Sequence, residues 1–484
     1  MTLDSSTLPS RSSLVKWFLF ILTTKFLWLF LFTFLRNPEW NPAFLARTFG
    51  LYGGDSLTYY YPVDQLIKTG QYYGMCRMPG VLPVYFPLRL FLSEVQAHEV
   101  IVFLQLIFDS IATLLLALIA LHVFKSKRAF AATILISCAT CFVALRNSYL
   151  LSDSFCVSSL ITSFYFLSNY FNSTQKKHLL YAGIFLSWSI FLRQITILAI
   201  PVMATMVIVY HRKQFRKTFY AGLFLSIPVA LSLGAWTLRN TITFHRPIVL
   251  VAPLEECMFN LTPELAAIRA LIIGMGEDFQ PWSKGGGAYW FFNQPLNDPL
   301  PCPFHEYQYT TGMKEADLFQ LRADYRAISA PSNSSEVHDS LQQSVVLRAN
   351  RFLIDYKSEH AFQFHVGNKL RFAGLFLFPG RIDDIPFPAM DKMNFLQKGI
   401  KAWSLVSLWL VHACALLVLL WWILKREKTK LLWALLPFSF ILALSYLGYI
   451  EQRYLATSYP FFILLIAGSI AKLKREVSLS APLH

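Results

Sequence analysis

Residues 99–128 read EVIVFLQLIFDSIATLLLALIALHVFKSKR. The run from 99 to 124 is apolar enough, and at about 1.5 Å per residue long enough, to cross a hydrocarbon core of roughly 30 Å as a helix. Lys125, Lys127 and Arg128 follow at once. Cations at the end of a span place that end on the cytoplasmic side. One stretch therefore sets both a fold class and an orientation.

Similar runs recur at 14–35, 129–145, 154–171, 179–192, 195–210, 218–237, 403–424, 431–450 and 455–471. Together they make about ten spans of an all-α polytopic membrane protein. Composition agrees: 15% of residues are charged, against roughly 25% in soluble domains. The first run is too long for a signal peptide and lacks a small-residue cleavage site, so it is expected to be a retained helix.

The count of spans puts Lys176-Lys177, Arg212-Lys213, Arg216-Lys217, Lys425-Arg426, Lys428, Lys430 and Lys472 to Arg475 on the same side as Lys125. With Arg11 and Lys16, that side holds an excess equal to the whole net charge of +15. The charge thus serves topology and gives no sign of nucleic-acid binding. The expectation is a multi-pass protein of the inner or plasma membrane with both termini cytoplasmic. The outer side receives loop 36–98, the turn at 146–153 and the segment 238–402. The expected division is a transmembrane core with its first outer loop (1–237), an extracytoplasmic segment (238–402) and C-terminal spans (403–484).

The outer segment shows no hydrophobic-core domain of recognisable type. A helical pattern runs from Leu341 to Phe378, and its end, 369–378, is apolar with flanking cations, which reads as an interfacial helix. Cys138-x-x-Cys141 lies inside an apolar run and reads as packing. Cys257 and Cys302 fall on the outer side, where pairing stays open. No internal repeat is visible, which weighs against an inverted-repeat transporter.

Chemistry-bearing residues collect at the outer ends of the spans. Gly53-Gly-Asp-Ser-x-x-Tyr59 and Arg77-Met-Pro-Gly80 share the first outer loop. Asp55 reads either as a helix N-cap or as a general base. Asp153 opens the fourth span with the same two readings, cap or second acid. Two acids at one height can bind a sugar, position a base or hold a metal. Arg77, Arg146, Arg193, Arg239 and Arg453 lie at the same level. Each alone reads as snorkelling to headgroups. As a group they suit phosphate, which the guanidinium fork matches in geometry and charge. In Glu451-Gln-Arg453-Tyr454 the glutamate is placed to orient the arginine. Lys25 and Asp109 are the evident charges within spans.

This order of motifs is similar to that of the GT-C glycosyltransferases that use lipid-linked sugars, in the protein-mannosyltransferase-like and aminoarabinose-transferase-like branch. The likeness covers about residues 14–250 and 430–470, and Arg348 to Phe378, with Lys369, resembles the family's late outer helix. It implies a polyprenyl-phosphate-sugar donor and a lipid, glycan or protein acceptor at the outer face of the bilayer. It further implies Asp55 as the catalytic carboxylate, and Asp153 and Tyr59 as substrate-positioning groups. Arg77, Arg453, Arg239, Arg193 and Lys369 would serve the donor phosphate, with Glu451 orienting. Ser56 stands where this branch commonly has a second acid, so no cofactor is expected; a divalent metal is compatible but not required. Two other classes fit the same residues: a transporter or flippase for a lipid-linked sugar, and a non-catalytic lipid-binding assembly subunit.

Overall fold

The computed structural model describes residues 9–36, 49–53, 55–74, 76–251, 262–277, 279, 286–296, 301–328, 335–382, 384–448 and 451–471. Cys257, residues 280–285 and the basic run Lys472 to Arg475 lie outside them. The described residues are helical, with isolated bridges at Leu51–Tyr149 and Thr310–Met313 and no strand. In chain order the helices are α1 (Arg11–Phe34), α2 (Ser56–Thr69), α3 (Leu82–Phe91), α4 (Glu94–Phe124), α5 (Lys127–Ala139), α6 (Asp153–Ser173), α7 (Lys176–Leu192), α8 (Ala199–Tyr210) and α9 (Phe215–Phe244). Then follow α10 (Pro263–Gly274), α11 (Gly287–Phe292), α12 (Glu315–Ile328), α13 (Ser335–Glu359), α14 (Asn368–Leu377), α15 (Phe395–Leu424), α16 (Lys428–Leu447) and α17 (Tyr459–Ile470).

Each expected span holds a helix, but only α1, α4, α9, α15 and α16 are long and apolar enough to cross a membrane by length and composition. The expected span 129–145 stops at Ala139, and a 3-10 turn takes Ala144–Ser148. The polar run Arg146-Asn147-Ser148 needs partners that an apolar helix surface lacks. The last expected span begins with a 3-10 turn, Gln452–Thr457, and its α-helix starts only at Tyr459, with Pro460 in the first turn. Proline suits that position, where no N–H is required.

Contacts divide the chain into two units. The first is Met1–Ala252, Arg381–Phe440 and Arg453–His484; the second is Pro253–Gly380 and Ile441–Gln452. In the first, α6 and α7 pack through small residues. Ser159 Oγ donates to Phe185 O at 2.7 Å, and Ser163 Oγ donates to Ala182 O at 2.7 Å. Hydroxyls and glycines let backbones approach where lipid offers no hydrophobic drive. Lys25 of α1 and Asp109 of α4 meet at 2.5 Å, both buried. Asn147 Nδ2 donates to the other Asp109 oxygen at 2.8 Å, and Ser154 Oγ donates to Asn147 Oδ1 at 2.6 Å. The pair is closed on itself and its neighbours. Cys138 and Cys141 are free and buried, with Cys141 Sγ 2.7 Å from Ser404 Oγ.

The second unit corrects one expectation. It has its own hydrophobic core, built from Ile268, Leu271, Trp290, Leu321, Val345 and Tyr356 among others. These residues come from several short elements, so no single sequence window carries the pattern. The helical stretch expected from Leu341 to Phe378 is also interrupted, by a π-helical turn at Gln363–Gly367 between α13 and α14. Cys302 is a free thiol, so the pairing with Cys257 left open above is not made.

Candidate functional site

Two loop segments of the first unit are fastened together before either reaches its acid. Leu51 N donates to Ser148 O at 2.7 Å, and Leu150 N donates to Leu51 O at 2.8 Å. Gly53 then passes Leu151 so closely that a Cβ would lie 3.2 Å from its side chain. This bridge brings the stretch ending in Asp55 beside the stretch ending in Asp153.

Asp55 stands at the N-cap position of α2, yet its backbone is helical (φ −92°, ψ −5°) and its side chain makes no cap bond. Ser56 is the local anchor instead: its Oγ accepts from Gly53 N at 2.9 Å. The cap reading therefore fails for the Asp55 carboxylate, which faces two guanidiniums. Oδ1 is 3.2 Å from Arg77 Nη2, and Oδ2 is 2.6 Å from Arg453 Nη2. Burial raises the Asp55 pKa; Arg453, Arg77 and Arg193 outweigh it and hold the carboxyl below its ordinary value. The group is thus ionised at neutral pH.

Tyr59 lies one helical turn beyond Asp55, buried at 4% exposure. The Arg77 guanidinium carbon sits 4.8 Å from its ring centroid and that of Arg193 5.4 Å. A desolvated aromatic face attracts cations, so Tyr59 gathers two of them. Arg77 is fixed further by Nε donating to Thr58 Oγ1 at 3.0 Å. Arg193 and Arg453 each lie 5.6 Å from the Tyr454 ring.

The loop carrying Arg77 reaches this place because Gly80 has no side chain. A Cβ there would come within 2.4–2.5 Å of the Phe191 and Leu192 backbone. Trp188 Nε1 donates to Gly80 O at 2.9 Å and closes the contact. Below it, Asp64 of α2 takes Arg89 Nε of α3 at 2.8 Å and the Tyr85 hydroxyl at 3.3 Å.

Asp153 also fails as a cap. It opens α6 and pairs with Arg193 at 2.6 Å, both nearly sealed from solvent. Arg146, grouped above with the site arginines, is neutralised by Asp384 at 2.9 Å, and Tyr149 Oη donates to the Asp384 backbone O at 2.5 Å. Asp384 was missed in sequence because it sits in an aperiodic stretch far along the chain. Thr58 was missed because a lone threonine carries no pattern.

Arg239 occupies a separate aromatic box, 5.6 Å from Tyr72, 5.1 Å from Trp236 and 5.0 Å from Phe244. Its Nη1 donates to Asn240 Oδ1 at 2.8 Å and to Gly74 O at 3.4 Å. Among the described residues no carboxylate pairs with it. Lys369 belongs to the second unit, where Nζ donates to Tyr446 O at 3.1 Å. Glu451 is assigned to the second unit as well. Among the described residues, no three of His, Cys, Asp or Glu converge on one point.

Residues 85–236 match the family model described as dolichyl-phosphate-mannose-protein mannosyltransferase. This stretch runs from α3 into α9 and includes Asp153 and Arg193; Asp55, Arg77 and Arg453 lie outside it. No curated protein matches the chain in sequence. Among solved structures, the chain is similar to the archaeal oligosaccharyltransferase AglB from Archaeoglobus fulgidus in complex with an inhibitory peptide and a dolichol-phosphate. The TM-score is 0.47 at 10% identity, covering 96% of this chain and 52% of that one. The apo form of the Archaeoglobus fulgidus oligosaccharyltransferase gives 0.49 at 12% identity, covering 96% and 51%. The chain thus spans about half the length of these structures. The family match, from α3 into α9, covers less than half of the chain and states what that stretch is similar to.

Proposed function

We propose that the chain transfers a sugar from a polyprenyl-phosphate donor to a hydroxyl of an acceptor on the extracytoplasmic face of the membrane. The observation that carries this reading is the Asp55 carboxylate set between Arg77 and Arg453 beside the buried Tyr59. In the proposed step the acceptor oxygen attacks the anomeric carbon and forms the new glycosidic bond. The bond from that carbon to the phosphate oxygen breaks, and its electron pair leaves with the lipid phosphate. The hydroxyl proton passes to Asp55. Charge grows on the departing phosphate, where Arg77, Arg453 and Arg193 stabilise it most. One displacement inverts the anomeric centre. Asp153 holds Arg193 in place, and Arg239 is proposed as an outlying contact to the donor.

Three features support the outer face and the lipid donor. The basic clusters at 125–128 and 176–177 follow the far ends of α4 and α6, away from Asp55 and Asp153. Cys76, next to Arg77, is disulfide-bonded, which suits an oxidising compartment. A donor tethered to lipid keeps its phosphate at headgroup height, the level of these arginines.

The test uses purified protein with a polyprenyl-phosphate sugar. The acceptor is first identified by mass spectrometry of envelope glycans and lipids with and without the chain. Asp55→Asn should insert, stay monodisperse and bind the donor, yet transfer at least roughly 10²-fold more slowly. Normal transfer by Asp55→Asn would remove Asp55 as the base, and a wild type that binds the lipid phosphate but transfers nothing would leave the lipid-binding subunit as the better reading.

A further inference from the structure

Asp55 and a lipid phosphate want the same two guanidiniums. Both Asp55 oxygens are engaged, one by Arg77 at 3.2 Å and one by Arg453 at 2.6 Å. These two arginines are also held by contacts that do not involve Asp55. Arg77 is fixed by Thr58 Oγ1 and the Tyr59 face, and Arg453 lies against Tyr454. Arg193 differs, since its guanidinium is taken by the sealed Asp153 carboxylate. The Arg77–Arg453 fork therefore has its own scaffold, and Asp55 sits in it as an anion rather than as its organiser.

We propose that Asp55 is a built-in competitor for the donor phosphate at Arg77 and Arg453, so that the donor must claim these arginines before Asp55 can act on an acceptor. The proposal rests on the transfer reading above and adds an order of binding, donor first. Two anions within a few ångströms of one another repel, and each weakens the other's hold on shared cations. The same exchange tunes the base. Burial raises the Asp55 pKa, and Arg453, Arg77 and Arg193 pull it lower and prevail. A phosphate on Arg77 and Arg453 cancels most of that pull and leaves burial in force. The carboxylate becomes a stronger base once a donor is in place, and stays a weak one before.

The sign of one measurement separates this from the opposite role. If Asp55 organised the arginines, removing its charge would weaken phosphate binding. As a competitor, its removal tightens binding. The probe is a short-chain polyprenyl phosphate without sugar, titrated calorimetrically into full-length protein in detergent, with inorganic phosphate run in parallel. Asp55→Asn should bind the lipid phosphate about ten-fold more tightly than wild type, within the range typical of coupled sites. Inorganic phosphate should gain a similar factor, because the effect acts on the phosphate and not on the chain. Glu94→Gln removes an equal charge from a half-exposed side chain and should leave both affinities within about two-fold. Asp55→Ser, smaller and neutral, repeats the test should the asparagine variant not be monodisperse. Unchanged or weaker binding in the Asp55 variants overturns the competition. Absence of any phosphate binding by the wild type would instead remove the donor reading itself.

Discussion

At the scale of single residues, the site is a set of charges that are costly near lipid and are each answered by a partner. Arg77 shows why lysine is no substitute. Its Nε bonds Thr58, its Nη2 meets Asp55 and its plane lies over Tyr59. A lysine keeps the charge and loses the fork and the plane. Arg77→Lys is expected to fold and to turn over about ten-fold more slowly, with Arg77→Ala slower again; the check is initial rate with the lipid-linked donor. Wild-type rates in both would shift the phosphate contact to Arg453. The Lys25–Asp109 pair is a different case. It is buried in the helical core, so Asp109→Asn leaves a cation without its counter-charge, at a cost of about 3–5 kcal/mol. A lower melting midpoint in detergent should report this, and the double variant Lys25→Met, Asp109→Leu should recover much of it. No drop in the single variant would show that the pair carries little stability.

At the scale of elements, the geometry depends on close approaches. The connection between α1 and α4 is bound to the α5–α6 connection by the Leu51–Tyr149 bridge, and its far side is bound to α7 through Gly80. Gly80→Ala places a methyl group within 2.5 Å of the Phe191–Leu192 backbone. The loop must then move away from α7, and Arg77 moves with it. Overpacking of this kind costs about 1–3 kcal/mol. Turnover should fall by more than the loss of folded protein accounts for, because a small misplacement of catalytic groups is expensive. Comparing rate per folded molecule with thermal stability checks this; equal losses would mean that Gly80 matters only for folding.

At the scale of the whole molecule, the proposed outer-face site makes a prediction about topology. Asp339, on α13, is 80% exposed in the second unit, and Lys127 opens α5 among the basic residues. With the second unit outside, Asp339→Cys should react with an impermeant thiol reagent in intact cells, and Lys127→Cys should react only after permeabilisation. The reverse pattern would move Asp55 to the cytoplasmic side and undo the lipid-donor reading.

The sequence by itself determined the helical membrane class and the positions of the apolar elements, because hydropathy and flanking charge act locally along a chain. It also brought Asp55, Tyr59, Arg77 and Arg453 forward, since ionisable and aromatic groups at the ends of spans stand out against their surroundings. The tertiary structure decided the rest. It joined Asp55 to Arg453 across most of the chain's length and Arg146 to Asp384 across about half of it. It shortened α5 and α17, and it gathered a core in the second unit from short helices. These outcomes depend on which distant groups meet. A buried charge takes its partner from whatever segment the packing brings near it, and no local pattern names that segment in advance.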